Sequence, residues 1–256
     1  MNVTIPTTPS FRLEGRRALV TGAGRGIGFA VAAAFAEAGA SVTLCARSVE
    51  ELEHGAMLLR KRGASADILC VDVTNVEAFQ TAISELDPFD ILFNNAGTNR
   101  PKAFIDVPVG DFDAVIGLNV RAAYFVAQAV VRKLLAAKRG GTIINVSSQM
   151  GHVGGANRSL YCASKWAVEG MTRAMAVELG SAGIRVNTLC PTFIETEMTR
   201  PFLADGKFRS ETLSKIKLGR LGTPEDLMGA AVFLASDAAA LMTGASLVVD
   251  GGWTAD

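Results

Sequence analysis

Short apolar runs alternate along the chain with longer stretches whose apolar positions recur at helical spacing. Residues 17–21, Arg-Ala-Leu-Val-Thr, predict a strand, and the Ala-rich stretch 26–39 a helix ended by Gly39, where a left-handed residue is favoured. A second strand is expected over 41–46 and a helix over 50–62, closed by Gly63. Strands over 68–72 and 90–94 flank a helical stretch near 76–86. A long helix over 111–138, a strand over 142–147, a second long helix over 159–181 and a strand over 184–190 follow. The last pair is a helix beginning near Pro224, with Thr223 as N-cap and the proline at its first position, and a strand over 247–249.

The predicted strands are nearly continuous apolar runs, the pattern of a sheet covered on both faces. Strands alternating with helices imply an α/β fold, a doubly wound parallel sheet with helices on both faces. Neither repeats nor linkers divide the chain, so residues 1–256 read as one domain. The polar, mixed stretch 192–222 breaks the rhythm after a late strand, where a substrate lid is expected. Residues 1–12 are expected to be a flexible terminus; the first ten are polar, with two prolines and no apolar run of the secretory kind.

Composition narrows the partners. Lys+Arg and Asp+Glu both number 25, so no net basic field gathers nucleic acid or anionic membrane, and a small-molecule substrate is expected. No stretch of about 18 uninterrupted apolar residues suggests a membrane span. Cys45, Cys70, Cys162 and Cys190 form no C-x-x-C pair and only two histidines accompany them, so no metal cluster is expected. Cys45, Cys70 and Cys190 each end an apolar run and read as buried free thiols, which places the protein in a reducing cytoplasm.

The first strand runs into Thr21-Gly-Ala-Gly-Arg-Gly-Ile-Gly28, and a helix follows at once. Gly22, Gly24, Gly26 and Gly28 let the backbone turn tightly and approach a pyrophosphate, whose charge a helix N-terminus favours. The spacing departs from G-x-G-x-x-G, since Ile27 stands three places after Gly24, but between strand and helix the loop reads as a Rossmann-type nucleotide site. A ribose with a free 2′-hydroxyl is commonly held by a carboxylate at the end of the second strand. Here that end is Cys45-Ala-Arg-Ser48. Arg47, with Arg25 in the glycine loop, suits a 2′-phosphate, so NADP(H) is expected over NAD(H). Asp72, with Val73 beside it, is a candidate for the adenine amino group; the alternative is that Asp72 caps the helix before Val76.

Further on, Tyr161-Cys-Ala-Ser-Lys165 sets a phenol and an ammonium on one helical face. A strand ending in Ser147-Ser148 and a glycine-rich loop precede that helix. Together Thr21-Gly-x-x-x-Gly-Ile-Gly28, Asn94-Asn-Ala-Gly97, Asn119, Ser148, Tyr161-x-x-x-Lys165, Pro191 and Asp250-Gly-Gly252 resemble the short-chain dehydrogenase/reductase family, from Arg17 to Trp253. The subgroup it looks like contains 3-oxoacyl-carrier-protein reductases, gluconate 5-dehydrogenases and tropinone reductases. The resemblance implies that Tyr161 is the general acid/base. Ser148, 13 positions before it, would donate to the substrate oxygen in preference to Ser147. Lys165 would hold the nicotinamide ribose and lower the tyrosine pKa, and Asn119 would support a water leading to solvent. Asn94, Ala96 and Gly97 would fix the fourth strand's end beside the ribose. Pro191, Ile194 and Thr196 would lie against the carboxamide and phosphates, although Thr192 replaces the family's usual glycine and narrows that approach.

A tyrosine titrates near ~10, and working near neutrality asks for a drop of about three units, or about 4 kcal/mol. One cation at ~4 Å and an effective dielectric of ~20 supplies about 4 kcal/mol, with desolvation opposing it. Gln149 and His152 are polar groups expected near the substrate hydroxyls, while Arg200, Lys207 and Arg209 on the lid suit a carboxylate or phosphopantetheine. The competing class is a non-catalytic NADPH-binding scaffold. The two long helices carry more Ala and Val than one buried face needs, and the resemblance implies a homotetramer.

Overall fold

In the computed structural model, which describes residues 5–255, seven parallel strands form one sheet in the order β3-β2-β1-β4-β5-β6-β7. The strands are β1 (Arg17–Thr21), β2 (Ser41–Ala46), β3 (Ala66–Cys70), β4 (Ile91–Asn94), β5 (Gly141–Val146), β6 (Ile184–Pro191) and β7 (Ser246–Val249). The first helices are α1 (Gly26–Glu37), α2 (Val49–Lys61) and α3 (Val76–Ser84). They are followed by α4 (Val109–Ile116), α5 (Ala123–Ala136), α6 (Ser159–Leu179), α7 (Arg200–Leu203), α8 (Gly206–Lys215) and α9 (Glu225–Ala235). The expected α/β doubly wound architecture is present.

Strand alternation explains the unbroken apolar runs. In β1, Ala18 and Val20 join a core shared with α1, α2 and α9, while Leu19 between them joins the opposite core with α3 and α5. Ile91 and Phe93 of β4 face the first core and Leu92 the second. Both faces are therefore dry, as a parallel sheet requires. At the sheet's edge β3 is more exposed, and it lies two residues earlier than the apolar run suggested. Cys70 is accordingly exposed, not buried, whereas Cys45 and Cys190 are buried.

Strand order reverses between β1 and β4, and in such sheets ligands bind at that switch point, beyond the carboxyl ends of the strands. Thr21 Oγ1 clamps the two ends, accepting Asn95 N at 3.0 Å and Ala96 N at 3.1 Å. Asn95 Nδ2 in turn donates to Thr21 O at 3.0 Å and Gly22 O at 3.3 Å.

Two local expectations are adjusted. The long helix expected over 111–138 runs over 109–136 and contains a π-helical turn, Gly117–Ala122, which joins α4 to α5 and carries Asn119. Such turns recur at functional sites because they re-aim a side chain. Thr223 does not cap α9, because the Asp226 carboxylate reaches back to Thr223 N at 2.8 Å and pairs with Arg220. Within the segment 1–12, residues 1–4 lie outside the described residues; at its other end the Phe11 ring sits 6.2 Å from that of Phe233 and Arg12 donates to Glu37 O at 3.2 Å.

By length and composition the stretch Val109–Ala136 is apolar enough to cross a bilayer; half of its most apolar window is buried inside the protein. Val126, Ala127, Val130 and Leu134 pack into the core there. The 192–222 segment folds into α7 and α8 around a small core of its own, Leu203, Ile216 and Leu221, joined by Phe193, Phe208, Leu213 and Trp253. A bridge between Ile194 and Gly222 closes its base.

Candidate active site

The glycine loop leaves β1 and becomes α1 with no side-chain cap at Arg25 and no acidic residue in the first turn. No side chain of the helix itself therefore occupies the N-terminal N–H groups at the positive end of its dipole. Gly22 and Gly26 hold φ of +64° and +57°, which glycine adopts without strain. A Cβ on Gly28 would lie 2.2 Å from Gly22 O, so only glycine lets the helix start that close. A Cβ on Gly26 would meet only Thr196, at 3.5 Å, which puts this threonine of the 192–222 segment against the loop. Ile27 packs on the core beneath. A loop with this shape and charge fits the pyrophosphate of a dinucleotide.

Around it the charged candidates are solvated and already paired. Arg47 is 80% exposed, with Asp72 Oδ2 at 3.9 Å. Arg25 donates to Glu51 Oε1 at 2.7 Å and lies 3.2 Å from Glu197 Oε2. Asp72 accepts Thr74 N at 2.9 Å and Thr74 Oγ1 at 2.7 Å, which holds its carboxyl below the usual range against the opposing effect of partial burial. It does not cap α3; Asn75 does, accepting from Ala78 N. Val73 is buried in the core.

On the other side of the switch point the polar groups are buried. Asn94 Nδ2 donates to Ala123 O at 2.8 Å and Asn145 Oδ1 at 3.0 Å, so its side chain is spent on the protein. Asn119 Oδ1 accepts Thr98 N at 2.8 Å, and its Nδ2 donates to Thr98 O at 2.9 Å and Ser164 Oγ at 3.0 Å. A Cβ on Gly97 would stand 3.3 Å from Asn119 Oδ1 and 3.8 Å from Lys165 Nζ. Lys165, one turn along α6 from Tyr161, donates from Nζ to Val146 O at 2.8 Å and lies 5.5 Å from the Tyr161 ring centroid. Ser148 Oγ donates to Gln149 Oε1 at 2.9 Å and stands near enough to the Tyr161 hydroxyl to oppose the rise in its pKa. Pro191 ends β6 with its carbonyl 3.4 Å from Ser148 Oγ, and Ile194 is buried at the base of the 192–222 segment. The structure therefore brings Asn119, Ser148, Tyr161 and Lys165 to one end of the sheet.

The electrostatics differ from the simple expectation. Burial pushes the Tyr161 hydroxyl up to about 12, against the opposing effects of Ser148 and the Arg158 charge. Lys165 is itself lowered to about 8 by burial, and its ammonium donates to the Val146 carbonyl. In this geometry the phenol holds its proton. His152, expected to face substrate hydroxyls, points elsewhere: its Nε2 lies 3.4 Å from Cys190 Sγ and 3.6 Å from Glu169 Oε1.

Sequence reasoning missed Arg158. Its residue is 7% exposed, and its guanidinium carbon sits 5.9 Å from the Phe202 ring centroid and 5.7 Å from that of Phe208, both in the 192–222 segment. No carboxylate lies within ion-pairing distance of it among the described residues. A buried cation against the 192–222 segment was the one signal that could have found it, and that needs the fold.

A family profile described as enoyl-(acyl carrier protein) reductase matches residues 22–254. The chain belongs to the short-chain dehydrogenase/reductase family. Among similar proteins of this family, the D-erythrulose reductase of Gallus gallus is 38% identical over 96% of this chain and 98% of its own length. A D-threitol dehydrogenase of Mycolicibacterium smegmatis is 41% identical over 95% of each. A gluconate 5-dehydrogenase from Burkholderia cenocepacia, solved with NADP and tartrate, superposes with a TM-score of 0.93 at 37% identity, over 96% of this chain and 98% of that one. As a short-chain dehydrogenase/reductase the chain is an oxidoreductase acting on the alcohol–carbonyl pair.

Proposed function

We propose that the chain is an NADP(H)-dependent oxidoreductase that interconverts a ketone and a secondary alcohol on a polyol or sugar-acid substrate, with Tyr161 as the general acid/base. The observation that carries this reading is the convergence of Ser148, Tyr161, Lys165 and Asn119 at the switch point of the sheet. When bound, NADP(H) supplies or accepts the hydride. The glycine loop and the uncapped start of α1 would hold its pyrophosphate, Lys165 the nicotinamide ribose, and Arg47 and Arg25 the 2′-phosphate.

In the reducing direction Ser148 hydrogen-bonds the substrate oxygen, and Tyr161 gives that oxygen its proton. A phenol raised to about 12 stands ready in the donating form. The proton then lost is replaced along Lys165 and the buried Asn119 turn.

Arg158 supports an anionic substrate. A guanidinium buried beside aromatic rings without a carboxylate is costly, and a substrate carboxylate would satisfy it. Arg209 on the lid is already 3.4 Å from Glu195 Oε1, which makes it the weaker candidate for that role. Reduction of a carbon–carbon double bond is disfavoured, since the family's enoyl reductases resemble Tyr-x6-Lys and seven positions after Tyr161 stands Val168. Exposed apolar residues on the long helices, Tyr124, Trp166 and Val177, support assembly into a homotetramer. Free thiols at all four cysteines support a cytoplasmic setting.

The test is turnover by purified protein with NADPH or NADH across keto-sugar acids, polyol ketones and 3-oxoacyl thioesters. The proposal expects NADPH consumption with the first group. No turnover with any carbonyl substrate would establish the scaffold alternative instead.

A further inference from the structure

His152, Glu169 and Cys190 come from three elements, the loop after β5, helix α6 and strand β6, and meet beside the reactive end. Cys190 Sγ is 3.3 Å from Glu169 Oε1 and 3.4 Å from His152 Nε2, and His152 Nε2 is 3.6 Å from Glu169 Oε1. Zinc bound tetrahedrally by sulfur at ~2.3 Å and by nitrogen or oxygen at ~2.0 Å sets its ligand atoms about 3.3–3.5 Å apart. The three side chains, 3.3 to 3.6 Å apart, come within a few tenths of an ångström of that spacing.

The surroundings match as well. Glu169 is 1% exposed, and its two oxygens are divided in role. Oε2 accepts Ser246 Oγ at 2.6 Å and Thr188 Oγ1 at 3.2 Å and lies 3.9 Å from Arg173, which fixes the carboxylate plane. Oε1 faces the histidine and accepts the Cys190 thiol, the hydrogen bond that a metal would replace. Outer hydrogen bonds of this kind orient metal ligands. Ser147 is a second, independent pointer: it is 1% exposed, it neighbours Glu169 and Cys190, and its Oγ has no hydrogen bond of good geometry.

We infer that His152 Nε2, Glu169 Oε1 and Cys190 Sγ form a binding site for one zinc-class divalent cation, with Ser147 Oγ on its fourth side. Thiolate, carboxylate and neutral imidazole balance a 2+ charge, and the mixed sulfur, nitrogen and oxygen set suits zinc or cobalt over magnesium or calcium. On binding, the Cys190 S–H bond breaks, a sulfur–metal bond forms and the proton leaves to water. The ion would brace the Ser147–His152 loop, and with it Ser148, to β6 and α6. The site stands on its own geometry and is independent of the substrate proposed above. No C-x-x-C motif announced it, because its ligands are spread over residues 152–190.

The test uses the full chain, stripped with chelator and titrated with Co²⁺ and then Zn²⁺. One equivalent of Co²⁺ with a near-ultraviolet thiolate-to-cobalt charge-transfer band is expected, displaced by Zn²⁺, together with a higher melting temperature. Cys190→Ala should abolish the band, and His152→Gln should weaken binding at least about ten-fold, the range for lost ligands or their supports. His152→Gln decides the matter if Cys190→Ala does not fold. Absence of the band in the unaltered chain, or binding that survives His152→Gln at equal affinity, would mean an adventitious ion only and would overturn the assignment.

Discussion

The two halves of the cleft are built from opposite materials. On the β1–β2 side, Arg25 and Arg47 are 64% and 80% exposed and meet carboxylates across solvent, where an ion pair contributes only about 0–1 kcal/mol. On the β5–β6 side, Asn119, Lys165 and Ser148 are buried, and every hydrogen bond they make is part of the fold. Substitutions on the first side should alter ligand preference and leave stability alone. On the second side, chemistry and stability should move together.

The largest effect is expected from Tyr161→Phe. Removing one hydroxyl deletes the proton donor and leaves the ring packing, so kcat should fall about a thousand-fold, within the range for general acid–base catalysis. Binding of NADPH, followed by fluorescence, should hardly change. Turnover within a few-fold of the unaltered chain would remove Tyr161 from the chemistry.

Next comes Lys165. Its buried ammonium titrates near 8 in the folded chain against the ordinary lysine value of 10.5, a gap of about 3 kcal/mol in the folded state's disfavour. Below about pH 8 both states keep the proton and the full cost is present. Between about 8 and 10.5 the folded chain has released the proton while the unfolded chain holds it, so this contribution to stability rises with pH. Cys45, Cys190 and Tyr161, each raised to about 12, act in the opposite direction at higher pH. Comparing urea denaturation of the unaltered chain with Lys165→Met cancels those shared groups. The difference should move toward the unaltered chain from pH 8 to 10; a flat difference would show the lysine to be solvated.

Arg47→Asp belongs to the exposed half. It should raise the KM for NADPH about ten-fold, equivalent to about 1.4 kcal/mol, and leave the melting temperature within a degree or so. An unchanged preference for NADPH would relocate the 2′-phosphate site.

The same contrast explains what could be read from the chain in advance. The sheet was legible because dry strands need unbroken apolar runs, and β3 was misplaced because an edge strand has no such need. Tyr161, Lys165 and the glycine loop were legible because their spacing along one element sets their geometry. Arg158 and the His152–Glu169–Cys190 cluster were not, since distant segments supply their neighbours. The π-turn at Asn119 also escaped, as its apolar spacing still reads as ordinary helix. Ionisation was the least legible of all. A lysine one turn from a tyrosine suggests a lowered phenol, yet burial, which no local spacing reports, raises it.

The smallest expected effect tests the exposed half most finely. Glu51 Oε1 accepts Arg25 at 2.7 Å, and a Cβ on Gly24 would come within 2.3 Å of Glu51 Oε2, so this carboxylate leans over the glycine loop. A 2′-phosphate bound to Arg25 has to share that guanidinium with Glu51 or displace it. Glu51→Gln removes the competing charge while keeping the side chain's shape. An exposed pair is worth at most about 1 kcal/mol, which limits the gain to about five-fold in the KM for NADPH. NADH, which carries no 2′-phosphate, should be unaffected, and added salt should erase the NADPH gain. If both cofactors tighten equally, Glu51 acts through the loop's shape and not through the charge on Arg25, and the division of the cleft into a solvated electrostatic half and a buried chemical half would need redrawing at that residue.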